Sequence, residues 1–283
     1  MARAEVIFMG NGLLAEAVLA VVERECQVLF CAHTRDDLDE VVRLKHEHPA
    51  AYGVLASYGV MVPERVLTEF EPEGIINIHP SLLPEWRGAS PIESAILSGA
   101  DEYGVSVMKL VKAMDAGPLY HQEVVRGLPL DKAAIYEGLA TAGAEWLVKH
   151  LDRLPEQDGG ADSGQLGKRA NGQPVGLPVP TEQVGEPTFC GKLDKAMGQL
   201  TPEVDTAELT LRKIVAFQGF PKPKYTFFGL KCIVLAAHIA EVGERAELTI
   251  PCADGRAVVV ERLQPEGRKP MDARAFINGY GKR

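Results

Sequence analysis

The sequence predicts an α/β protein with a mostly parallel sheet, helices on both faces of that sheet, and a small, mainly β domain after it. Three observations support this fold class. Short apolar runs alternate with segments of helical periodicity as far as about residue 150, a stretch rich in Gly and Pro follows at 155–187, and short strands at hairpin spacing come after it. We expect domains at 1–155 and 205–283, joined by a linker at 156–204 that contains a short helix.

The elements of the first domain follow in chain order. The predicted strands are "EVIFM", "QVLFCAH", "AAYGVLASYG", "GIINIH", "GVSVMKLV" and "GPLYHQEVV". The predicted helices are the segment after "GNG", then "RDDLDEVVRLKHEH", "VPERVLTEF", "SPIESAILSGA" and "DKAAIYEGLATAGAEWLVKHLDRL". Because a helix carries the chain back to the start of the next parallel strand, this alternation predicts a Rossmann-like sheet with right-handed crossovers.

The second domain is predicted from shorter elements. Helical periodicity occurs in "CGKLDKAMGQL" within the linker and in "DTAELTLRKIVAFQG" after it. The strands that follow are "PKYTFFG", "KCIVLAAHIAEV", "AELTIPC" and "AVVVERLQP". Strands at this spacing form antiparallel hairpins, and we expect them to close into an OB-like barrel.

Composition is that of an ordinary folded protein, with 46% apolar and 24% charged residues in 283. No window approaches the roughly 18 uncharged apolar residues of a membrane helix, and the N-terminus has no cleavage pattern. We therefore expect a cytoplasmic protein with no membrane partner, and we separately expect it to be a monomer. The five cysteines are scattered and include no CxxC pair, so we expect neither a disulfide framework nor a metal site.

Charge is distributed unevenly along the chain, whose net charge is −9. From residue 205 onward, 13 lysines and arginines stand against nine acidic residues, whereas the first 204 residues hold 17 against 30. The balance is thus +4 in the C-terminal part and −13 before it. Such asymmetry permits nucleic-acid contact by the second domain.

The first turn, from Gly10 through Asn11 and Gly12 to Ala15, fits the pattern GxGxxA between a strand and a helix. A dinucleotide site would also need an acidic residue at the end of the second strand, where this chain has Cys31, Ala32 and His33. A tight turn that requires glycine is therefore favoured, and nucleotide binding is the alternative.

Polar residues interrupt the buried strand "GIINIHP". Asn77 and His79 are two residues apart, so strand alternation places both side chains on one face, at the carboxyl end where parallel sheets bind ligands. Burying such groups without partners costs on the order of 1–3 kcal/mol each, which indicates a use for them. Either they take part in catalysis or they cap the Pro-rich loop that follows.

Asp115 lies in "MDAGP", a loop between two predicted strands, where aspartate most often begins a turn. An amide donor, a histidine and a carboxylate together can support acyl transfer. Because the sequence contains no serine or cysteine nucleophile in an elbow, the nucleophile would belong to the substrate.

The segments "GIINIHPSLLPEWRGASPIESAIL" and "GVSVMKLVKAMDAGPLYHQEVV" closely resemble the 10-formyltetrahydrofolate-dependent formyltransferases. The shared signature is Asn-x-His, Ser-Leu-Leu-Pro, an aromatic-Arg-Gly turn and an Asp about 36 residues after the His. The Trp form of the turn, together with "TFCGKLDKAMGQL", "IVAFQGFPKPKYTFFGLKCIVLAAHI" and "LQPEGRKPMDARAFINGY", is most similar to the members that act on methionyl-tRNA. The likeness extends over nearly the whole chain.

This resemblance implies direct transfer of the formyl group from 10-formyltetrahydrofolate, a co-substrate, to the amino group of initiator methionyl-tRNA, without a metal. Asn77 would bind the developing oxyanion, His79 would act as acid, base or electrophile, and Asp115 would orient His79 and help move a proton. The resemblance also implies folate contacts at Tyr58, Gly59, Val60, Met61, Ser81, Leu82, Leu83, Pro84, Ala113, Met114, Ala116 and Gly117. Acceptor contacts are expected at Trp86, Arg87, Gly88, Gly10 and Asn11.

The chain departs from the tRNA-dependent pattern after its second strand. Typical members carry there a basic insertion of the form Gly-Arg-Gly-Lys-Lys, whereas this chain has only "HTRDDLDEVVRLKHEHPAAYGV". The amino group of a nucleotide-linked sugar is therefore an alternative acceptor. Hydrolysis of formyl-folate and a binding module without catalysis are two further alternatives. On the tRNA hypothesis, phosphate contacts are expected at Arg212, Lys213, Lys222, Lys224 and Arg268.

Overall fold

A computed structural model describes residues 3–151 and 176–281 of the chain. The chain divides into two compact units. The first unit comprises Met1–Pro91, Glu102–Pro129 and Ala133–Cys190, and the second comprises Ile92–Asp101, Leu130–Lys132 and Gly191–Arg283. In the described ranges, no helix has the length and apolar character required to cross a membrane.

The strands of the first unit are β1 (Glu5–Gly10), β2 (Gln27–Ala32), β3 (Tyr52–Ala56), β4 (Ile75–His79), β5 (Arg87–Gly88), β6 (Tyr103–Lys109), β7 (Leu119–Val125) and β8 (Phe189–Cys190). The strands of the second unit are β9 (Lys224–Phe227), β10 (Leu230–Ile239), β11 (Thr249–Pro251), β12 (Ala257–Pro265) and β13 (Met271–Asp272). The helices are α1 (Gly12–Glu25), α2 (Leu38–Glu47), α3 (Glu64–Leu67), α4 (Pro91–Ser98), α5 (Lys132–His150), α6 (Ala207–Ala216) and α7 (Ala273–Tyr280). Single 3-10 turns occur at Arg35–Asp37, Thr68–Phe70 and Ala196–Gly198.

The main sheet of the first unit has six strands in the order β2-β1-β3-β4-β6-β7. The pairs from β2 to β4 are parallel, whereas β4 pairs with β6 and β6 with β7 in antiparallel fashion. Helices connect the parallel strands, as the alternating pattern requires. The predicted fold class, a mostly parallel α/β sheet followed by a mainly β domain, is confirmed.

One face of this sheet packs on an apolar cluster around α2 and α3. Ile7 and Met9 of β1, Ile75 of β4, Val41 of α2 and Val66 of α3 belong to this cluster and are buried. Because strand residues alternate between faces, the side chains of β4 that follow Ile75 on this face are those two and four positions later. The residues at those two positions therefore lie on the same face of the sheet as the cluster, toward the carboxyl end of β4.

The second unit is built on an antiparallel sheet in the order β11-β12-β10-β9, with β13 paired to β12. Its core contains residues of α6 and of the sheet together with Phe276 of α7, which is fully buried. The sequence pattern did not predict α7. This helix has eight residues and is too short for its periodicity to be recognised, and packing of Phe276 on the sheet stabilises it.

The predicted linker differs from the structure in two ways. The segment "CGKLDKAMGQL" forms a single 3-10 turn at Ala196–Gly198, and Cys190 at its start lies in β8, where it pairs with Gly88. Residues 176–190 also belong to the first unit, where Thr181 forms a bridge with Leu119 of β7. The predicted loop between residues 155 and 175 lies outside the described residues, and the predicted domain boundaries stay predictions.

Candidate active site

Strand β4 carries Asn77 and His79 to the centre of the sheet's carboxyl edge. Both side chains lie on the face that buries Ile75, and each is 5% exposed. On the neighbouring strand β6, Met108 stands opposite Asn77 and Ser106 stands opposite His79. The alternation that was predicted from "GIINIHP" thus brings the amide and the imidazole together.

The imidazole of His79 is held by a main-chain carbonyl. Its Nε2 lies 3.1 Å from the carbonyl oxygen of Trp86. Since a carbonyl can only accept a hydrogen bond, Nε2 carries the proton in the neutral ring, and Nδ1 has a free lone pair. The turn at Trp86 therefore selects the tautomer and leaves Nδ1 as the basic atom.

Asp115 faces that basic atom. Its Oδ1 lies 3.6 Å from Nδ1 of His79, a distance typical of an ion pair rather than a hydrogen bond, and its Oδ2 accepts a 2.8 Å hydrogen bond from the backbone N–H of Gly88. A proton that arrives on Nδ1 would be stabilised by this carboxylate. The backbone of Asp115 is in the left-handed region, with φ of 49°, so the loop conformation that presents the carboxylate needs support from its surroundings.

Burial lowers the pKa of His79 below its usual 6.5, because the charged ring would lose its hydration. The Asp115 carboxylate raises the pKa and offsets part of the shift, as does the hydrogen bond to the Trp86 carbonyl. The ring is consequently neutral near pH 7 and able to accept a proton.

Titration of His79 is expected to show a pKa that is lower than the usual value for histidine. We expect a midpoint below pH 6.5, so the neutral ring predominates at pH 7 and kcat falls as the pH drops through the midpoint. The Asp115→Asn variant removes the charge that raises the pKa, so its midpoint should move to still lower pH. NMR of the imidazole carbons in both proteins measures these midpoints. A midpoint above 6.5, or an upward shift in Asp115→Asn, would contradict this account.

The side-chain amide of Asn77 forms no hydrogen bond with any residue in the described ranges, although the side chain is almost fully buried. An amide in this condition retains its full donor capacity for a ligand. Its position beside His79 on the same strand face makes it a candidate donor to an oxyanion.

The loop that follows β4 is braced by its own polar groups. The hydroxyl of Ser81 donates to the carbonyl of Glu85 at 2.6 Å, and the hydroxyl of Ser106 donates to the carbonyl of Ser81 at 2.6 Å. Leu83 packs on Met108 and Leu119, and Pro84 is buried. Folate contacts were predicted at Ser81, Leu82, Leu83 and Pro84. Ser81, Leu83 and Pro84 also stabilise the conformation of this loop through the contacts above, and the folate contacts stay predictions.

Two other loops were predicted to bind folate. Tyr58 is buried and donates its hydroxyl hydrogen bond to the carbonyl of Thr34, and Val60 packs on the apolar cluster beside β3. Met61 on the same loop is 69% exposed, and Met114 on the Asp115 loop is 59% exposed. Each loop therefore carries one accessible thioether. The remaining predicted contacts on these loops are Gly59, Ala113, Ala116 and Gly117.

The turn after β1 forms hydrogen bonds and close packing contacts with other segments of the first unit. The amide of Asn11 donates to the carbonyl of His33 at 2.6 Å and to that of Tyr58 at 3.2 Å. A Cβ on Gly10 would lie 2.5 Å from the carbonyl oxygen of Ala56, so glycine is needed for close strand packing. Asn11 therefore holds the ends of three strands together. The predicted acceptor contact at Gly10 and Asn11 stays a prediction, as does the one at Trp86, Arg87 and Gly88.

Gln183 is a site residue that the sequence pattern did not identify. It lies in the part of the predicted linker that the structure describes, yet its Nε2 donates to the carbonyls of Asp115 and Gly117, each at 2.8 Å. Its Oε1 accepts from Nε of Arg87 at 3.1 Å and from Nη2 at 2.6 Å. A lone glutamine in a region rich in Gly and Pro offers no periodicity from which this position could be predicted.

The described residues contain no group of three or more His, Cys, Asp or Glu side chains suited to hold a metal ion. The four side chains of the site are instead an amide, an imidazole, a carboxylate and the supporting glutamine. This donor set suits proton transfer and oxyanion binding.

Comparison with protein families places both units in known families. Residues 13–151 match the family described as "Formyl transferase", and residues 203–281 match "Formyl transferase, C-terminal domain". A methionyl-tRNA formyltransferase from Thermus thermophilus is 33% identical over 239 residues, covering 81% of this chain and 70% of that protein. One from Aromatoleum aromaticum is 33% identical over 236 residues, covering 80% and 68%.

Solved structures share the fold at lower identity. HypX from Aquifex aeolicus in complex with tetrahydrofolic acid has a TM-score of 0.67 at 17% identity, covering 100% of this chain and 48% of that chain. Methionyl-tRNA formyltransferase from Clostridium thermocellum has a TM-score of 0.62 at 13% identity, covering 93% and 98%. An N-formyltransferase from Helicobacter canadensis, solved with folinic acid and dTDP-3-aminofucose, has a TM-score of 0.60 at 13% identity, covering 94% and 100%. At these identities the likeness is one of fold.

Proposed function

The chain belongs to the formyltransferase family and is a formyl-transferring enzyme, and we propose that it moves the formyl group of 10-formyltetrahydrofolate to the α-amino group of initiator methionyl-tRNA. The observation that carries this proposal is the arrangement of Asn77, His79 and Asp115, in which an unoccupied amide lies beside a neutral histidine backed by a carboxylate. The named relatives at 33% identity favour the tRNA acceptor. A role in translation initiation in the cytoplasm follows from this proposal, and we propose in addition that the protein acts as a monomer.

The folate supplies a formyl carbon attached to nitrogen, which an amine can attack. Asn77 would donate a hydrogen bond to the formyl oxygen as negative charge develops on it. Because the amide is free of other partners and largely removed from water, no competing hydrogen bond must be broken at that moment. Loss of one such donor typically costs about 100- to 1000-fold in kcat.

His79 would take the proton that the attacking amine must lose. The new C–N bond forms while Nδ1 receives this proton, and the Asp115 carboxylate stabilises the imidazolium that results. The bond from the formyl carbon to the folate nitrogen then breaks, and His79 returns the proton to the leaving nitrogen, directly or through water. The ring ends in its starting tautomer, with Nε2 still donating to Trp86.

The loop at 57–63 and the Asp115 loop would bind the folate between them. Met61 and Met114 are exposed apolar side chains, one on each loop, and a thioether adapts well to a flat ring. Backbone groups of Gly59, Ala113 and Ala116 would read the polar edge of the pterin. These contacts belong to the proposal.

The second unit would contact the tRNA. In its β9–β10 hairpin, Tyr225 and Phe227 face the core, so Lys224 and Thr226 point outward, and Lys231 stands opposite Thr226. Neither lysine forms an ion pair with a described residue, which leaves both charges available to phosphates. Lys213 differs, because its ammonium pairs with Asp205 at 2.5 Å, and we assign it a structural role.

The acceptor can be identified in one experiment. The protein is incubated with 10-formyltetrahydrofolate and, separately, with charged initiator tRNA, uncharged tRNA and an amino-sugar nucleotide, and the formylated product is measured. We expect formylation of the charged initiator tRNA alone. Formylation of the amino sugar instead would favour the alternative that the missing basic insertion raises, and release of formate without an acceptor would indicate a hydrolase.

Binding of the tRNA is expected to weaken steeply with salt. In a plot of the logarithm of the binding constant against the logarithm of the salt concentration, each phosphate contact contributes about −0.9 to the slope. Lys224→Ala should therefore make the slope less negative by about one. Lys213→Ala serves as the matched control and should destabilise the second unit without changing the slope. The slope is measured by filter binding over a salt series, and a slope near zero for the wild-type protein would contradict phosphate contact.

A further inference from the structure

We propose that Gln183 is a positioning residue for formyl transfer: it keeps Asp115 at its distance from His79 by joining the turn at Trp86–Gly88 to the main chain of the Asp115 loop. This inference rests on the proposed roles of His79 and Asp115. It does not depend on which amine accepts the formyl group.

The four hydrogen bonds of Gln183 have one consistent arrangement. A guanidinium can only donate, so the atom that faces Nε and Nη2 of Arg87 must be the amide oxygen. Main-chain carbonyls can only accept, so the atom that faces Asp115 and Gly117 must be the amide nitrogen. Both N–H groups and the oxygen are thereby used, and no other uncharged side chain of this length offers the same set.

The two segments that Gln183 joins hold opposite sides of the catalytic pair. The turn supplies the Trp86 carbonyl to Nε2 of His79 and the Gly88 N–H to Oδ2 of Asp115. The loop supplies the Asp115 carboxylate itself, from a residue with φ of 49°. Because a non-glycine residue resists this conformation, the loop is expected to relax unless its main chain is held.

Gln183 is itself anchored on both sides in the chain. Thr181 exchanges two backbone hydrogen bonds with Leu119 of β7, at 2.7 and 2.9 Å. The hydroxyl of Thr188 accepts from the N–H of Trp86 at 2.8 Å. The segment is therefore attached to the same sheet and turn as the catalytic residues, so its glutamine can act as a fixed point for the Asp115 loop.

The test is a double-mutant cycle between Gln183→Leu and Asp115→Asn. Leucine removes all four hydrogen bonds, and we expect kcat to fall roughly 10- to 100-fold with KM for the formyl donor changed by less than about threefold, since small displacements of a catalytic group have effects of this size. In the Asp115→Asn background the further loss should be less than about threefold, because the group that Gln183 positions has already been disabled. Rates are measured under single-turnover conditions.

Gln218→Leu is the matched control. Gln218 also donates from Nε2 to main-chain carbonyls, those of Ile214, Val234 and Leu235, but it lies in the second unit. We expect this variant to lose stability by a comparable amount while the rate of the folded protein changes little. The comparison separates loss of hydrogen bonds in general from loss of those that hold Asp115.

Gln183→Glu covers the case in which the leucine variant fails to fold. Glutamate keeps and strengthens the pair with Arg87 but removes both donors to the Asp115 loop, so we expect a loss of kcat like that of leucine in a folded protein. The proposal would be overturned if Gln183→Leu lowered kcat by the same factor in the wild-type and Asp115→Asn proteins. It would also be overturned if either Gln183→Leu or Gln183→Glu left kcat unchanged. If the wild-type protein formylates an amine other than methionyl-tRNA, the proposed acceptor is wrong, and the cycle is run with that amine.

Discussion

Replacing His79 by alanine is expected to lower kcat for formyl transfer about 100-fold or more while the protein stays folded. In the proposed mechanism the ring accepts the proton at Nδ1, and no other lysine, arginine or histidine in the described ranges lies within 4 Å of the Asp115 carboxylate to replace it as an ion-pair partner. Asn77→Ala and Asp115→Ala should lower kcat by a similar factor. The first variant loses the hydrogen bond to the oxyanion, and the second loses the carboxylate that stabilises the imidazolium. Together these variants have the largest expected effects on the reaction.

The measurement is single-turnover formylation, with circular dichroism and thermal unfolding to establish that each variant is folded. His46→Ala is a suitable control, because His46 lies on α2 with an exposed side chain and pairs only with Glu69 among the residues described. It should keep the wild-type rate. A rate near that of the wild-type protein for any one of the three site variants would remove that residue from the mechanism.

Replacing Gly88 by alanine is expected to reduce both stability and activity. Gly88 has φ of 127°, and a Cβ there would lie 2.1 Å from the carbonyl oxygen of Cys190, so alanine must displace β8 from β5. Strain and overpacking of this kind cost about 3 kcal/mol together. The same displacement moves the Gly88 N–H away from Oδ2 of Asp115, and kcat should fall about tenfold or more.

Chemical denaturation and kinetics of the folded variant measure the two effects separately. Gly191→Ala is the matched control, since a Cβ at Gly191 would have no neighbour within 4 Å and its φ is not in the left-handed region. This variant should resemble the wild-type protein in both measurements. If Gly88→Ala kept full stability and rate, the position of Asp115 would not depend on the β5–β8 pair.

Much of the fold could be predicted because it follows from local patterns. The alternation of apolar runs and amphipathic helices predicted the order of strands and helices along the chain. The two-residue periodicity predicted that Asn77 and His79 lie on one face of β4. The antiparallel pairing of β6 and β7 beside β4 needed the assembled sheet, since a strand's sequence does not determine its neighbour. In "CGKLDKAMGQL", where helical periodicity was noted, the structure has a single 3-10 turn at Ala196–Gly198, and Cys190 at its start pairs with Gly88 in β8.

The sequence by itself determined the class of the fold, the position of Asn77 and His79 at the end of β4, and, by resemblance, the family. Each of these depends on residues close together in the chain, where geometry repeats every few positions. Only the tertiary structure decided that Asp115 reaches Nδ1 of His79, that the Trp86 carbonyl selects its tautomer, and that Gln183 supports the Asp115 loop. Two of those contacts join distant segments, since Asp115 lies 36 residues after His79 and Gln183 lies 68 residues after Asp115, and such pairs come together only when the burial of apolar side chains has assembled the sheet.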